Sequence, residues 1–187
     1  MSTSVRSSFV TISPIAYVVA IAIMIAIVVA SNVLVQFPIN PWLTYGALTY
    51  PIAFLVSDLL NRRYGPAMAR KVALAGFVAA LAISFYVASP RIALASGFAY
   101  LSSQLLDIQV FDRLRAASWW KAPLIAGILA ATLDTFIFFL IAFYGHAEVS
   151  WFKLFMGDLG VKLALNLVML APFRAFMWNL AKPASDL

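Results

Sequence analysis

The sequence lacks cysteine altogether and contains one histidine, His146, among its 187 residues. The absence of cysteine excludes disulfides, thiolate catalysis and cysteine-ligated metals, and a single histidine cannot form a histidine-rich metal site. Charge is scarce too, at 11% of the residues, where an average soluble domain has roughly 25%. We therefore expect no metal, no cofactor and no catalytic residues, and the chain is not expected to be an enzyme.

Apolar residues dominate the chain instead, with 64% of it hydrophobic and a mean hydropathy of +0.96. This composition predicts an all-α membrane protein, a bundle of transmembrane helices. A helix needs roughly 17–25 residues to cross a hydrocarbon layer about 30 Å thick. Six apolar runs are long enough, and we expect helices over residues 14–37, 44–60, 69–88, 92–110, 122–143 and 151–173.

The basic residues predict how these helices are oriented. If the six helices alternate in direction, ten of the 13 Lys and Arg residues collect on one side, and the other side has Arg91 and Lys153. Because basic residues are enriched on the cytoplasmic side of membrane proteins, both termini should be cytoplasmic. The ten residues are Arg6, Arg62, Arg63, Arg70, Lys71, Arg113, Arg115, Lys121, Arg174 and Lys182.

The connections between the apolar runs are short, so no soluble domain fits between them. We expect residues 1–187 to form a single transmembrane domain. The first run is longer than the 7–15 apolar residues of a typical signal peptide core, which favours a retained helix over a cleaved signal.

Polar residues lie inside the predicted membrane helices. Asp134 and Lys162 each fall about eleven residues into their helices, near the membrane midplane, and are natural partners. Because a charged residue at a helix centre costs about 2.5–3.5 kcal/mol, such residues usually face a partner or a wet cavity. Further candidates for a binding site follow at helical spacing or on neighbouring helices: Asp158 and Asn166 beside Lys162, Asn32, Gln36 and Gln104.

Two interpretations of these residues remain open. In one, Asp134 and Lys162 only neutralise each other and hold two helices together. In the other, which we favour because a buried ion pair seldom outperforms apolar packing, they belong to a ligand site. Asp58 and Asp107 lie near predicted cytoplasmic helix ends, where local salt bridges with Arg62 and with Arg113 or Arg115 are the favoured interpretation.

Carboxylates and carboxamides bind ligands through paired hydrogen bonds in one plane, and aromatic rings add faces for stacking. Tyr45, Tyr50 and Tyr100 are the tyrosines that could stack, although core or lipid packing is the commoner role of such rings. The pattern favours a flat heteroaromatic ligand with several N–H donors.

Several segments of the sequence resemble one known family. They are TYGALTYPIAFLVSDLLNRRYGP (44–66), Ala-Arg at 69–70 with AGF (75–77), LASGFAYLSSQLLDIQVFDRLR (94–115), WWKAPL (119–124) and LDTFIFFLIAF (133–143). Together they are similar to the queuosine-precursor transporter family, also called the vitamin uptake transporter family. The similarity covers most of residues 31–143.

The resemblance implies an importer of a cyano- or aminomethyl-deazaguanine (preQ0 or preQ1) in the bacterial inner membrane. It implies a purine-like small molecule and the lipid bilayer as partners, no nucleic acid, and either a homodimer or an energising module. The matching words contain Asp58, Asp107 and Asp134, with Tyr50, Gln104 and Thr135 beside them. The implied mechanism is alternating access, driven by protons through Asp134 or by passive entry and later trapping of the base in tRNA.

Three other functions compete with this interpretation. The first is a substrate-binding subunit of an energy-coupling-factor transporter, with the alanines of the first helix as its docking face. The second is an intramembrane aspartyl protease, for which Gly157-Asp158 gives only half of the usual Gly-x-Gly-Asp word, since Phe155 replaces the first glycine. The third is a structural assembly factor, which would not need charged residues in the bilayer.

Overall fold

Prolines mark where many of the helices begin. The structure is a computed structural model that describes residues 9–145 and 150–179. Arg6, His146 and Lys182, on which predictions were made, lie outside these ranges. Four helices have proline in their first turn, where its missing N–H costs no hydrogen bond; these prolines are Pro14, Pro51, Pro66 and Pro90.

Helices account for most of the described residues, which confirms the all-α prediction. They are α1 (Pro14–Leu34), α2 (Gly46–Thr49), α3 (Pro51–Tyr64), α4 (Pro66–Val87), α5 (Pro90–Leu114), α6 (Lys121–Phe143) and α7 (Trp151–Asn179). A small antiparallel hairpin, β1 (Pro38–Asn40) and β2 (Leu43–Thr44), follows α1.

Four of the described helices are long and apolar enough to cross a membrane: α1, α4, α6 and residues Trp151–Met177 of α7. The chain is therefore a membrane protein built of helices. The other two long elements differ from simple spans. Helix α3 has 14 residues, and the 25-residue α5 carries Arg91 near its start and Asp107, Asp112 and Arg113 toward its end.

The predicted bounds differ from the structure before α3 and at the end of α7, which was predicted to end at residue 173 and continues to Asn179. The first helix was predicted to reach residue 37, but it ends at Leu34 because Pro38 begins the hairpin. The second was predicted to be continuous over 44–60. It is divided into α2 and α3 at Pro51, which has no N–H to donate to the preceding helical turn.

Helix α5 lies at the centre of the bundle, since it packs against α6, α4, α3 and α1. Small residues allow these helices to approach closely, as is usual between membrane helices. Ala95 and Ala99 of α5 are fully buried with Phe138 and Phe139 of α6. The position of α5 matters because it also carries a buried polar face: Ser96, Ser103, Gln104 and Asp107.

The two ends of the bundle have different chemistry. At one end, which we call the hairpin end, Arg91 donates to the carbonyls of Ile141 and Tyr144 beside the hairpin and the first turn of α7. At the other, the arginine end, Arg62 and Arg115 donate to each other's carbonyl oxygens at 3.2 Å.

Candidate functional site

Three side chains on α6 and α7 form a buried ionic group. Lys162 Nζ lies 2.9 Å from Asp134 Oδ2 and 2.7 Å from Asp158 Oδ2. Its third hydrogen bond, of 3.1 Å, goes to Thr135 Oγ1, which in turn donates to Asp158 Oδ2. The predicted pairing of Lys162 with Asp134 is confirmed.

The ionic group has a formal charge of −1, since one ammonium faces two carboxylates. Its members are 2–5% exposed. Breaking such a group by removing one partner is costly, because a buried charge is then left uncompensated. All three donors of Lys162 are occupied, so further ligands would have to meet the carboxylate oxygens as hydrogen-bond donors.

A small pocket opens beside this ionic group. Its lining residues come from the parts of α1, α2, α5, α6 and α7 toward the hairpin end. They are Ser31, Asn32, Val35, Gly46, Tyr50, Ser96, Ala99, Asp134, Phe138, Asp158 and Lys162.

Asn32 joins three helices at the pocket wall. Its Nδ2 donates to Ser84 Oγ of α4, and its Oδ1 accepts from Ser96 Oγ of α5. Both partners are fully or almost fully buried. Because its donor and acceptor are both engaged within the protein, Asn32 is held in one orientation and shapes the pocket.

Tyr50 presents an aromatic ring to the ionic group. Lys162 Nζ lies 4.9 Å from the centroid of this ring, within the range of a cation–π contact. The ring also packs edge-on against Phe54 and Tyr100. The Tyr50 hydroxyl faces Asp134 and Ser103 without making a well-aligned hydrogen bond to either.

The structure thus brings together five of the eight main predicted residues at the pocket: Asn32, Tyr50, Asp134, Asp158 and Lys162. The other three lie elsewhere. Gln104 is fully buried in the α3–α5 contact, where its Oε1 accepts from Ser57 Oγ. Asn166 donates to the Leu124 carbonyl, and Gln36 donates to the Asn32 and Val87 carbonyls near the end of α1.

The secondary candidates are spread over the molecule. Thr135 is hydrogen-bonded to Lys162 and Asp158 of the ionic group. Tyr45 is 47% exposed and does not line the pocket. Tyr100 is fully buried, and its hydroxyl donates to the Ala73 carbonyl at 3.4 Å.

The local salt bridges expected for Asp58 and Asp107 were wrong. Among the described residues, neither carboxylate lies within salt-bridge distance of a basic group. Arg62 instead donates to a backbone carbonyl, and Arg115 binds Asp112 and the Asn61 side chain. The two carboxylates are instead buried in the α3–α5 contact.

Sequence reasoning missed the serines of the site. Ser31 lines the pocket and shares a 2.6 Å hydrogen bond with Thr49. Ser96 binds Asn32, and Ser103 Oγ donates to Asp134 Oδ1 at 3.3 Å. Helical spacing could have found the last two, because Ser96, Ser103 and Asp107 follow one another on one face of α5.

Comparison with known proteins gives the family. The family model described as "Putative vitamin uptake transporter" matches residues 44–89 and 83–177. The chain belongs to this family. The curated relatives it matches include the queuosine precursor transporter of Escherichia coli (strain K12), which is 31% identical, with 82% of each chain covered.

Two further relatives are named probable queuosine precursor transporters. The protein of Haemophilus influenzae is 32% identical with 83% of each chain covered, and that of Bacillus subtilis (strain 168) is 30% identical with 68% covered. No solved structure matches this member of the vitamin uptake transporter family. The names and the apolar helices place the chain among multi-pass transporters of the bacterial inner membrane, not among enzymes.

Proposed function

We propose that this protein imports a queuosine precursor, a cyano- or aminomethyl-deazaguanine base, into the bacterial cytoplasm. The names of three relatives support the substrate class. The observation that carries the proposal for this chain is the position of the ionic group, in which Lys162 bridges Asp134 and Asp158 at the wall of the pocket.

The chemistry of the pocket suits a flat base with several N–H groups. A carboxylate accepts two adjacent donors in one plane, as a guanine-like edge presents them. Asp134 and Asp158 supply such acceptors, while Tyr50 and Phe138 supply aromatic faces on the same pocket. A base without these donors would leave a buried carboxylate unpaired and would be rejected.

The orientation that we propose has six membrane spans and both termini in the cytoplasm, within one transmembrane domain. The excess of basic residues at the arginine end supports it, because this end would then be cytoplasmic. The pocket would face the outside, since its lining residues lie toward the hairpin end. Asp134 is about 20 Å along α6 from the arginine end and about 14 Å from the hairpin end.

Transport would proceed by alternating access around this pocket. In the state described here the arginine end is closed by the mutual hydrogen bonds of Arg62 and Arg115. Inward release requires these bonds between α3 and α5 to break, so that the base can leave past the buried polar face of α5.

The test is import in a strain that cannot make the base and receives it in the medium. With this protein expressed, the tRNA should contain queuosine, and it should lack queuosine with the Asp134→Asn variant. Thr132→Ala is the matched control, because Thr132 is an exposed polar residue on the same helix that bonds only to its own helix. Absence of queuosine with the unaltered, membrane-inserted protein would refute the proposal.

The same strain separates an importer from a substrate-binding subunit that needs an energising module. The host must lack energy-coupling-factor ATPases. Queuosine formed in this host means that the chain, alone or as a homodimer, suffices. Binding of the base by the purified chain without queuosine formation in the cells would favour the subunit.

A further inference from the structure

Two buried carboxylates remain outside the substrate pocket. Asp58 of α3 is 4% exposed and Asp107 of α5 is 0% exposed. Both lie in the α3–α5 contact, between two hydrogen bonds that join these helices, from Ser57 to Gln104 and from Asn61 to the Ile108 carbonyl. Asp58 Oδ1 and both oxygens of Asp107 have no hydrogen-bond donor among the described residues. We call these two residues the carboxyl pair.

We propose that the carboxyl pair is a proton-binding site and that one proton travels inward through it with each imported base. This inference rests on the proposed import function and adds its energy source. The proton enters from the outer side, is held between the two carboxyl groups, and is released to the cytoplasm when the arginine end opens.

The geometry itself calls for a proton. Two ionised carboxylates have only acceptor oxygens, so they cannot bind each other. In an interior of low dielectric, two such groups at close range cannot both carry a charge, and the pair keeps one proton between them. That proton turns one of the two groups into the donor that the other lacks.

No basic side chain neutralises the carboxyl pair in the described part of the chain. Lys162 of α7 is occupied by Asp134 and Asp158, and Arg62 of α3 donates to the Arg115 carbonyl. The remaining basic residues on the helices around the pair are exposed or lie at helix ends: Arg63, Arg70, Lys71, Arg113, Arg115, Lys121 and Arg174.

A buried side-chain amide in the α3–α5 contact also supports a proton that can leave the carboxyl pair. Gln104 is fully buried one turn before Asp107, and its Oε1 is held by Ser57, the neighbour of Asp58. Its Nε2 has no acceptor among the described residues. This amide is available as a donor to the carboxyl pair once the proton has left.

The carboxyl pair lies between the pocket and the arginine end. Toward the pocket, Gln104 binds Ser57, the neighbour of Asp58, and Ser103 Oγ, one residue earlier on α5, donates to Asp134. Toward the arginine end, the pair lies about 10 Å from the ends of α3 and α5. A small cavity lined by Asp58 and Asn166 among others lies beside the pair, with room for about one water molecule.

The experiment uses the purified full-length protein in proteoliposomes with radiolabelled deazaguanine base. Exchange of base at equal pH on both sides of the membrane needs no net proton movement. Accumulation of the base against its own concentration gradient does need it. The wild type should accumulate base when the outside is acidic, and a protonophore should abolish this accumulation. Asp58→Asn and Asp107→Asn should keep exchange within about twofold and lose at least tenfold in accumulation.

Gln109→Ala is the control, because Gln109 is an exposed polar residue on the same helix as Asp107. It should keep both activities. If an Asn variant shows no exchange, the Glu variant at that position replaces it; the retained carboxyl group should keep accumulation but shift its dependence on external pH.

Three results would overturn the inference. They are wild-type accumulation that ignores the proton gradient, accumulation driven by a sodium gradient in its place, and Asn or Glu variants that accumulate base with the wild-type pH dependence. Each leaves exchange intact, so the import function would stand. Absence of base binding and exchange in the wild type would instead refute the import function itself.

Discussion

Asp134 of α6 and Lys162 of α7 form an ion pair of 2.9 Å at the wall of the pocket. The pair alone would only fasten two helices. Asp158 adds a second carboxylate, so the ionic group has a formal charge of −1 beside the pocket and can accept hydrogen bonds from a ligand. Structure and binding therefore depend on the same three residues, and variants must be chosen to separate the two roles.

Asp134→Asn should remove binding of the base while the protein still folds. Lys162 keeps its 2.7 Å contact with Asp158, so the two helices remain joined. A hydrogen bond to a charged group is worth about 1.5–3 kcal/mol, which corresponds to a loss of about 10- to 100-fold in affinity. Isothermal titration calorimetry of the purified protein with the base measures this loss of affinity. Wild-type affinity in this variant would remove Asp134 from the site.

Lys162→Met should reduce the amount of folded protein, because two buried carboxylates are left without their cation. We expect a loss of about 3–5 kcal/mol in stability. A second change, Asp158→Asn, should restore part of the folded protein, because only Asp134 is then left without its cation, yet the double variant should not bind the base. The measurements are detergent size-exclusion profiles, thermal unfolding and base binding. A double variant that binds as the wild type does would mean that the ionic group only joins helices.

The ionic group could be predicted from the sequence because each clue to it lies within a single helix. A lone charge at a helix centre requires a partner, and the four-residue interval between Asp158 and Lys162 places them on one helical face. The same interval suggested Asn166 equally well. It failed to reach the pocket because four further residues move Asn166 about 6 Å along α7, to the Leu124 carbonyl.

Other features depend on tertiary contacts that periodicity does not show. The expected partners of Asp58 and Asp107 bind elsewhere because carbonyls at the ends of α3 and α5 compete for Arg62 and Arg115. Apolar runs predicted the long helices well. The division at Pro51 and the hairpin were missed, since a hydropathy average does not register a single missing N–H donor.

Asn166 and Asp158 offer a direct comparison within one helix. Asn166→Ala should bind the base within about twofold of the wild type, because its side chain donates to the Leu124 carbonyl outside the pocket. Asp158→Asn should weaken binding by about 10- to 100-fold through loss of a charged acceptor. Base titrations of both variants decide the matter. Equal losses would show that the pocket extends down α7 to Asn166.

Two glycines of α7 test whether the contact between the hairpin and α7 supports the pocket. A Cβ at Gly157 would overlap the Trp42 carbonyl, so Gly157→Ala should push the hairpin and the adjoining pocket residue Gly46 away from α7. Uptake should fall severalfold or more. Gly160→Ala is the control, because nothing lies within 4 Å of its added Cβ; we expect normal uptake and stability equal to or about 0.5–1 kcal/mol above that of the wild type. Uptake at several base concentrations separates the causes. A raised half-saturating concentration in Gly157→Ala indicates a damaged pocket, whereas wild-type uptake in both variants would show that the hairpin contact has no part in binding.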